Sequence, residues 1–549
     1  GLLSYDYEGV GLDDQTILIE NNIMVGGQVE GVALDCSFTA GVIASTLTVD
    51  FTARGNTFIG LTQEPLDMWF DISSVTGNYQ LDILCEDNLM IGCGDDIEIS
   101  ASFGASSAEL VADYTLTFRD NEIVNCDGGF SEYYFAEYTC TVNRTVEITN
   151  NTMSLTDGVG IRLSTDLDTS LIFDGDVLIS GNNIQGGDGG IYVSFSVDYT
   201  GTVIDRDVVI SNNSIRDVLH NGVNFYTTCY TSGRVGDHDF VIVGNDIRGC
   251  GDAGLRIYNY ASYTATSSFD FAITNNRITD CDEAVEVDVD TSTGDYDYAF
   301  QFRGNVLQNQ VSRLIDLDVS GSSSLDLEFN WGDSAQGFNT ISPQVIGDPS
   351  STVNLSVSTS SVNATVSMVG NWWGTTDVLE IEDLVFHGVD STGYAVADFS
   401  GPLTDDLGFT ISQTGDKVKL TAGAGSGFVP YAGQKDIIVR VNGEAASNIS
   451  VAADYLSLTF ENDYAGEIEV CVTNPGGQSG CMTSTVTEVE EDGGGGGGGG
   501  GGCGIMPING PPTAKDYAEQ YFLFLLPVLF LLRRRLRGLR PVSAGCRTA

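Results

Sequence analysis

The stretch ITNNRITDC, Ile273 to Cys281, decides the fold, because its pattern (apolar, x, Asn or Gly, Asn, x, apolar) recurs along the chain. Copies include FRDNEI from Phe118, ITNNTM from Ile148, LISGNNI from Leu178, ISNNSI from Ile210, IVGNDI from Ile242 and FRGNVL from Phe302. A binding site needs such a motif once; a dozen copies describe architecture. Aligning the second Asn of each copy gives Asn22, Asn56, Asn88, Asn121, Asn151, Asn182, Asn213, Asn245, Asn276, Asn305, Asn330 and Asn371. Successive separations are 34, 32, 33, 30, 31, 31, 32, 31, 29, 25 and 41, a period near that of ankyrin and tetratricopeptide arrays.

The content of each repeat excludes those helical arrays. FDFAIT (269–274), AVEVDVD (284–290) and GIYVSFSV (190–197) alternate with period two and are rich in Val, Ile, Phe and Tyr, which is strand chemistry. Turn clusters GGDGG (186–190), STGD (292–295) and GCGD (249–252) separate them. Three short strands and three turns fit one repeat, so the expected object is a single-stranded right-handed parallel β-helix of about twelve coils. Coils stacked at the strand spacing make a rod of about 55 Å. An Asn at a fixed turn tolerates the left-handed conformation and can bond its amide to the amides above and below, which Asp could not do without stacking charge.

The 549 residues carry 76 acids against 23 bases, a formal charge of −53. So anionic a surface repels nucleic acid and acidic lipid and suits export into salty or calcium-containing surroundings. Twelve cysteines without a CxxC pair and three histidines leave no zinc-type ligand set. Cys93, Cys126, Cys250 and Cys281 each fall five residues after a repeat Asn. Stacked neighbours are within disulfide range, and a buried thiol serves equally well as a small core residue.

Residues 1–405 resemble the parallel β-helix repeat family with pectate-lyase-like architecture. Gly370-Asn371-Trp372-Trp373-Gly374 is similar to the NWWG motif of its last coils, which implies that Trp372 and Trp373 cap the core. The resemblance implies a fold and leaves activity open, since such folds host lyases, hydrolases, adhesins and inert surface proteins. Residues 408–488 resemble an immunoglobulin-like IPT/TIG module, VTNPGGQS (472–479) being its most specific part. Cys471 and Cys481 flank that hairpin and can face each other across it, so a disulfide is expected, as in an oxidising compartment.

A Gly-rich linker and spacer follows over 489–520, then YFLFLLPVLFLL (521–532) and an arginine cluster, a 521–540 segment expected to form a short hydrophobic helix. Its apolar run is shorter than the ~20 residues that span a bilayer comfortably. The arrangement resembles a bacterial C-terminal sorting signal, with Cys503 as a candidate processing or attachment point; an uncleaved membrane anchor is the other reading. Both place the body outside the cytoplasm. The chain opens at Gly1 with no visible signal peptide, which we read as a truncated N-terminus.

Counting along each coil from the Asn turn puts Arg162, Tyr192, Asn224, Arg256, Glu286 and Asp316 in one outward column. Ser164, Ser194, Tyr226, Tyr258, Asp288 and Asp318 form the next. Arg162, Tyr192, Asn224, Tyr226, Arg256 and Tyr258 suit sugar stacking and uronate binding. Glu286, Asp288, Asp316 and Asp318 would stack carboxylates, which invites calcium, a solvated acidic face being the plainer reading. No catalytic residue is assigned: the Asn-Thr-Asp, Asp-Asp, Gly-His-Gly and Arg-Ile-Lys series of polygalacturonases, a nucleophile elbow and a phosphate loop are all missing. The expected function is adhesive or glycan-binding display at the cell surface. An extracellular polysaccharide lyase or glycoside hydrolase is the alternative, and a structural surface-layer component the second.

Overall fold

The computed structural model describes residues 2–487, apart from 8–13, 28–29, 39–40, 43–45, 74, 169–171, 199–202, 231–233, 322–323, 333–336, 343–351, 359–361, 405, 431–436 and 463. Up to about residue 400 the chain is a parallel β-solenoid. One typical coil runs Gly189–Asp198, Val203–Ser211 and Ser214–Arg216 before the next begins at Val223. The first two strands of each coil join a 22-stranded sheet and the third an 11-stranded sheet. Eleven strands make about ten coil-to-coil steps, slightly fewer than the twelve coils counted from the sequence. The single α-helix among the described residues is Val378–Glu382, and none is long and apolar enough to cross a membrane. The expected hydrophobic helix over 521–540 and Cys503 lie outside the described residues.

Alternation turns every second side chain inward, as in the burial pattern of Val223–Tyr230. Because the register repeats, like stacks on like. Phe58, Met90, Ile123, Met153, Ile184, Ile215, Ile247, Ile278, Leu307 and Ile341 form one continuous apolar column. Another column stacks Phe240, Phe271 and Phe300 with centroids 4.5 and 4.8 Å apart. Each such ring contributes about 1.5–3 kcal/mol by leaving water.

The asparagines form the expected ladder. Each side-chain amide nitrogen donates to the amide oxygen one coil later, at 2.9–3.1 Å from Asn22 to Asn371. The same oxygen also accepts the backbone N–H of the preceding ladder residue, for example Asn245 N to Asn276 Oδ1 at 3.0 Å. Two details of the sequence reading are corrected. The rung between Asn305 and Asn371 is Asn339, not Asn330, so the last separations are 34 and 32 residues. Asn330 instead accepts the Gly332 N–H at 2.8 Å.

The left-handed residue is the one before the rung. Asn21, Asp87, Asp120, Asn150, Asn212 and Asn275 have φ of 55–57°, and Gly55, Gly181, Gly244, Gly304 and Gly370 take the same place at 63–70°. These are the residue types that tolerate this conformation, so they define the second half of the motif. Phe338 breaks the rule at φ 55°. Its position is held from outside, by the second domain.

That domain consists of two four-stranded antiparallel sheets around a separate core that includes Val418, Leu420, Val439, Phe460, Ile468 and Val470. Cys471 and Cys481 are direct cross-strand partners and are joined by a disulfide. The domain sits against the rod. Tyr455 Oη donates to Asn275 Oδ1 at 2.6 Å, Arg303 Nη2 to the Asp454 carbonyl at 3.2 Å, and Gln308 Nε2 to the Gly476 carbonyl at 3.3 Å. Phe338 belongs to the second domain's core, edge-on to Tyr455 at 5.5 Å. The two tryptophans of the NWWG stretch part company: Trp373 is buried in the rod, whereas Trp372 packs against the second core. Trp372 thus helps to join the domains, where a cap was expected.

The eight cysteines of the rod are all free and buried. Cys93 N–H points at Cys126 Sγ, 3.3 Å away, so the stacked thiols act as core residues in contact.

Candidate functional site

The outward columns are built by strands Val159–Asp168, Gly189–Asp198 and Val223–Tyr230, the first part of Ala253–Thr274 and of Glu283–Arg303, and Arg313–Gly321. Since their inward neighbours are locked in the core, the outward side chains stand at fixed spacing on a flat surface. The register pairs Arg162 with Tyr192, Tyr192 with Asn224, Asn224 with Arg256, Arg256 with Glu286 and Glu286 with Asp316. It likewise pairs Ser164, Ser194, Tyr226, Tyr258, Asp288 and Asp318 in succession. Both columns therefore stand as the residue counting placed them.

Their side chains make two kinds of local structure. Tyr226 and Tyr258 stack at 5.0 Å with only 6° between their planes, and Tyr226 is 38% exposed. Arg162 lies over the Tyr192 ring at 5.2 Å, and Arg256 lies 5.9 Å from the Tyr258 ring. Tyr230 and Tyr260 form a second, tilted pair at 5.6 Å beside the first. Ser164 and Ser194 share a hydrogen bond of 2.7 Å. Arg256 also pairs with Glu286 at 3.1 Å, so an incoming anion there has to compete. Arg162 makes no ion pair among the described residues, and its charge merely opposes the rise of the Asp96 carboxyl.

Beyond Arg256 the columns become acidic. Burial, then the Asp316 and Glu286 charges, push the Glu283 carboxyl up to about 7, with Arg313 opposing. Glu286, Asp288 and Asp318 are also raised, each chiefly by burial. For Glu286 the Arg256 charge pulls the other way, while Asp288 and Asp318 are raised further by neighbouring carboxylates. Asp316 is held by Arg313 and accepts from Asn354 Nδ2 at 2.6 Å. Among the described residues no group of three or more His, Cys, Asp or Glu side chains is arranged to hold a metal ion. Of the four carboxylates expected to hold calcium, Glu286 pairs with Arg256 and Asp316 with Arg313, while Asp288 and Asp318 have no ion pair among the described residues.

Counting missed the upstream half of the same face. The second column continues back from Ser164 through Tyr133 and Ser100 to Trp69, with Tyr133 39% and Trp69 49% exposed. The first continues back through Ser131 and Glu98 to Asp67. Asp67, Asp96 and Glu98 are raised by burial, so a second carboxylate group closes the other end. The constant register of the early coils carries the same signal in the sequence. The result is a strip of aromatic and arginine side chains between two acidic ends. No family model, no curated protein and no solved structure matches the chain.

Proposed function

We propose that this protein is an exported β-helix rod that binds glycans along the Arg–Tyr strip of its outer sheet. The observation that carries the reading is the parallel-stacked Tyr226–Tyr258 pair, Tyr226 exposed and Tyr258 half-buried, with Arg256 at the Tyr258 ring and Arg162 on the same face two coils before Tyr226. A ladder of aromatic edges and hydroxyls next to guanidinium donors suits a hydroxylated ring with a carboxylate substituent. A sheet of fixed spacing presents these groups without ordering a loop, which keeps the entropic cost of binding low.

In this reading the rod keeps its pectate-lyase-like and IPT/TIG-like resemblances, and the C-terminal segment with Cys503 holds it at the cell surface as sorting signal or anchor. Calcium enters as a bridge between Asp288, Asp318 and an anionic polymer. The purified full-length chain on an array of neutral and uronate glycans is expected to bind uronate chains, and Tyr226→Ala/Tyr258→Ala to lose at least tenfold in affinity. Chelator that leaves binding unchanged removes calcium from the proposal. Absence of binding to every glycan rejects the reading itself and favours a structural surface role.

One observation favours a second reading, glycoside cleavage. Glu283, whose carboxyl is pushed up to about 7, has the character of a general acid. Release of reducing ends from a bound glycan, abolished in Glu283→Gln, would establish it; new absorbance of unsaturated product would indicate a lyase instead.

A further inference from the structure

Inside the rod, away from the glycan strip, one inward column runs Tyr114, Arg144, Gly175, Arg206, His238, Phe269 and Tyr298. Arg144 is fully buried and paired with the equally buried Glu132, Nε to Oε1 at 3.1 Å. Arg206, one coil beyond Gly175, is 2% exposed and has no such carboxylate among the described residues. Its Nε and Nη2 find no acceptor among the described residues. Its guanidinium instead lies 4.6 Å from the Phe195 ring.

The buried groups next to it in register and beyond the Phe195 ring are unpartnered and carry no negative charge. His238, the register neighbour of Arg206, is 1% exposed and has neither ring nitrogen bonded. Burial and the Arg206 charge hold its pKa down to about 3, so it is neutral and offers one N–H. Thr165, on the strand that pairs with Phe195, is buried with its hydroxyl unpartnered. Taken together, Glu132, Arg144 and Arg206 leave one uncompensated positive charge in a closed apolar interior. A ring face offsets such a charge only in part, and an isolated buried ion is not tolerated without a counter-charge.

We propose that Arg206 holds a small inorganic anion of the halide class inside the rod, with the His238 N–H and the Thr165 hydroxyl as further donors. The ion enters as the coils close and neutralises the core. It is a structural ligand, independent of the outer face.

The test uses the full-length protein and chloride, bromide and gluconate salts at matched ionic strength. Above saturation, each tenfold rise in free halide is expected to raise the folding equilibrium constant up to tenfold. The midpoint of thermal unfolding should therefore climb in chloride but not in gluconate, and Arg206→Met should abolish the difference. Crystals grown in bromide should show anomalous density at the Arg206 guanidinium. If Arg206→Met does not fold, the bromide experiment on the unsubstituted protein decides. Equal unfolding in chloride and gluconate, or an interior holding only water at Arg206, overturns the proposal.

Discussion

Exchanging one rung of the amide ladder for its isosteric acid tests the central feature of the fold. Asn339 is fully buried and its Nδ2 donates to Asn371 Oδ1 at 2.9 Å, Phe302 O at 3.0 Å and Trp331 O at 3.2 Å. Asn339→Asp replaces that donor with an oxygen facing three oxygens. The two amide hydrogens are shared among three acceptors; with the acid protonated a single O–H remains, so the loss is one donor plus the repulsion of two unmet acceptors, about 2–4 kcal/mol. Burial raises the new carboxyl's folded pKa above its unfolded value of about 3.9. Below that pH both states hold the proton and the penalty is constant. As pH rises the unfolded chain ionises first, and the penalty grows by about 1.4 kcal/mol per unit until the folded pKa is passed. Urea unfolding midpoints, each taken against the unsubstituted chain at the same pH, should therefore diverge between pH 5 and 7. Asn330→Asp keeps the acceptor for Gly332 N–H and should cost under about 1 kcal/mol. Equal, pH-independent losses for the two variants would refute the ladder assignment.

Other expectations follow from single contacts. Glu283→Gln should be neutral in acid and increasingly stabilising as pH rises from 4.5 to about 7, the interval between the ordinary and the raised carboxyl pKa; a flat difference across that interval rejects the burial of Glu283. Gly427→Ala places a methyl 2.2 Å from the Phe338 ring edge, so limited proteolysis should release the second domain from the rod, and an unchanged digestion pattern would deny the docking. Reducing the Cys471–Cys481 bond, which closes a separation of 10 residues, should cost about 2–3 kcal/mol on a chain-entropy basis. That loss should be confined to the second domain's unfolding transition, with the rod's transition unmoved.

The rod was legible because a solenoid writes its geometry into one dimension: a residue's neighbour in space is the residue one period away. Arg162, Tyr192, Asn224, Arg256, Glu286 and Asp316 could be placed in a column by counting alone, and their pairing is as counted. The reading slipped where the period was hidden. Separations of 25 and 41 around Asn330 sum to 66, and GFNTI at 337–341 supplies the true rung with Phe338, an unusual left-handed residue, ahead of it. Only the docked second domain explains that phenylalanine. Tertiary contacts across 180 residues, such as Tyr455 with Asn275, leave no periodic trace. Nor do the ion pairs that engage Glu286 and Asp316, because a column fixes where side chains begin and not where their tips go.

Every ladder amide donates toward the higher-numbered coil, and the last, Asn371, spends its nitrogen on Trp331 O and Met368 O at 2.7 Å. The rod consequently has an electrical sense, a file of dipoles all oriented one way and terminated at one end by carbonyls. Dipoles in such a file polarise one another, so an identical truncation should weigh more heavily at Asn182 or Asn213 than at Asn22. Stability along this protein is then a property of position in the file as much as of the residue removed.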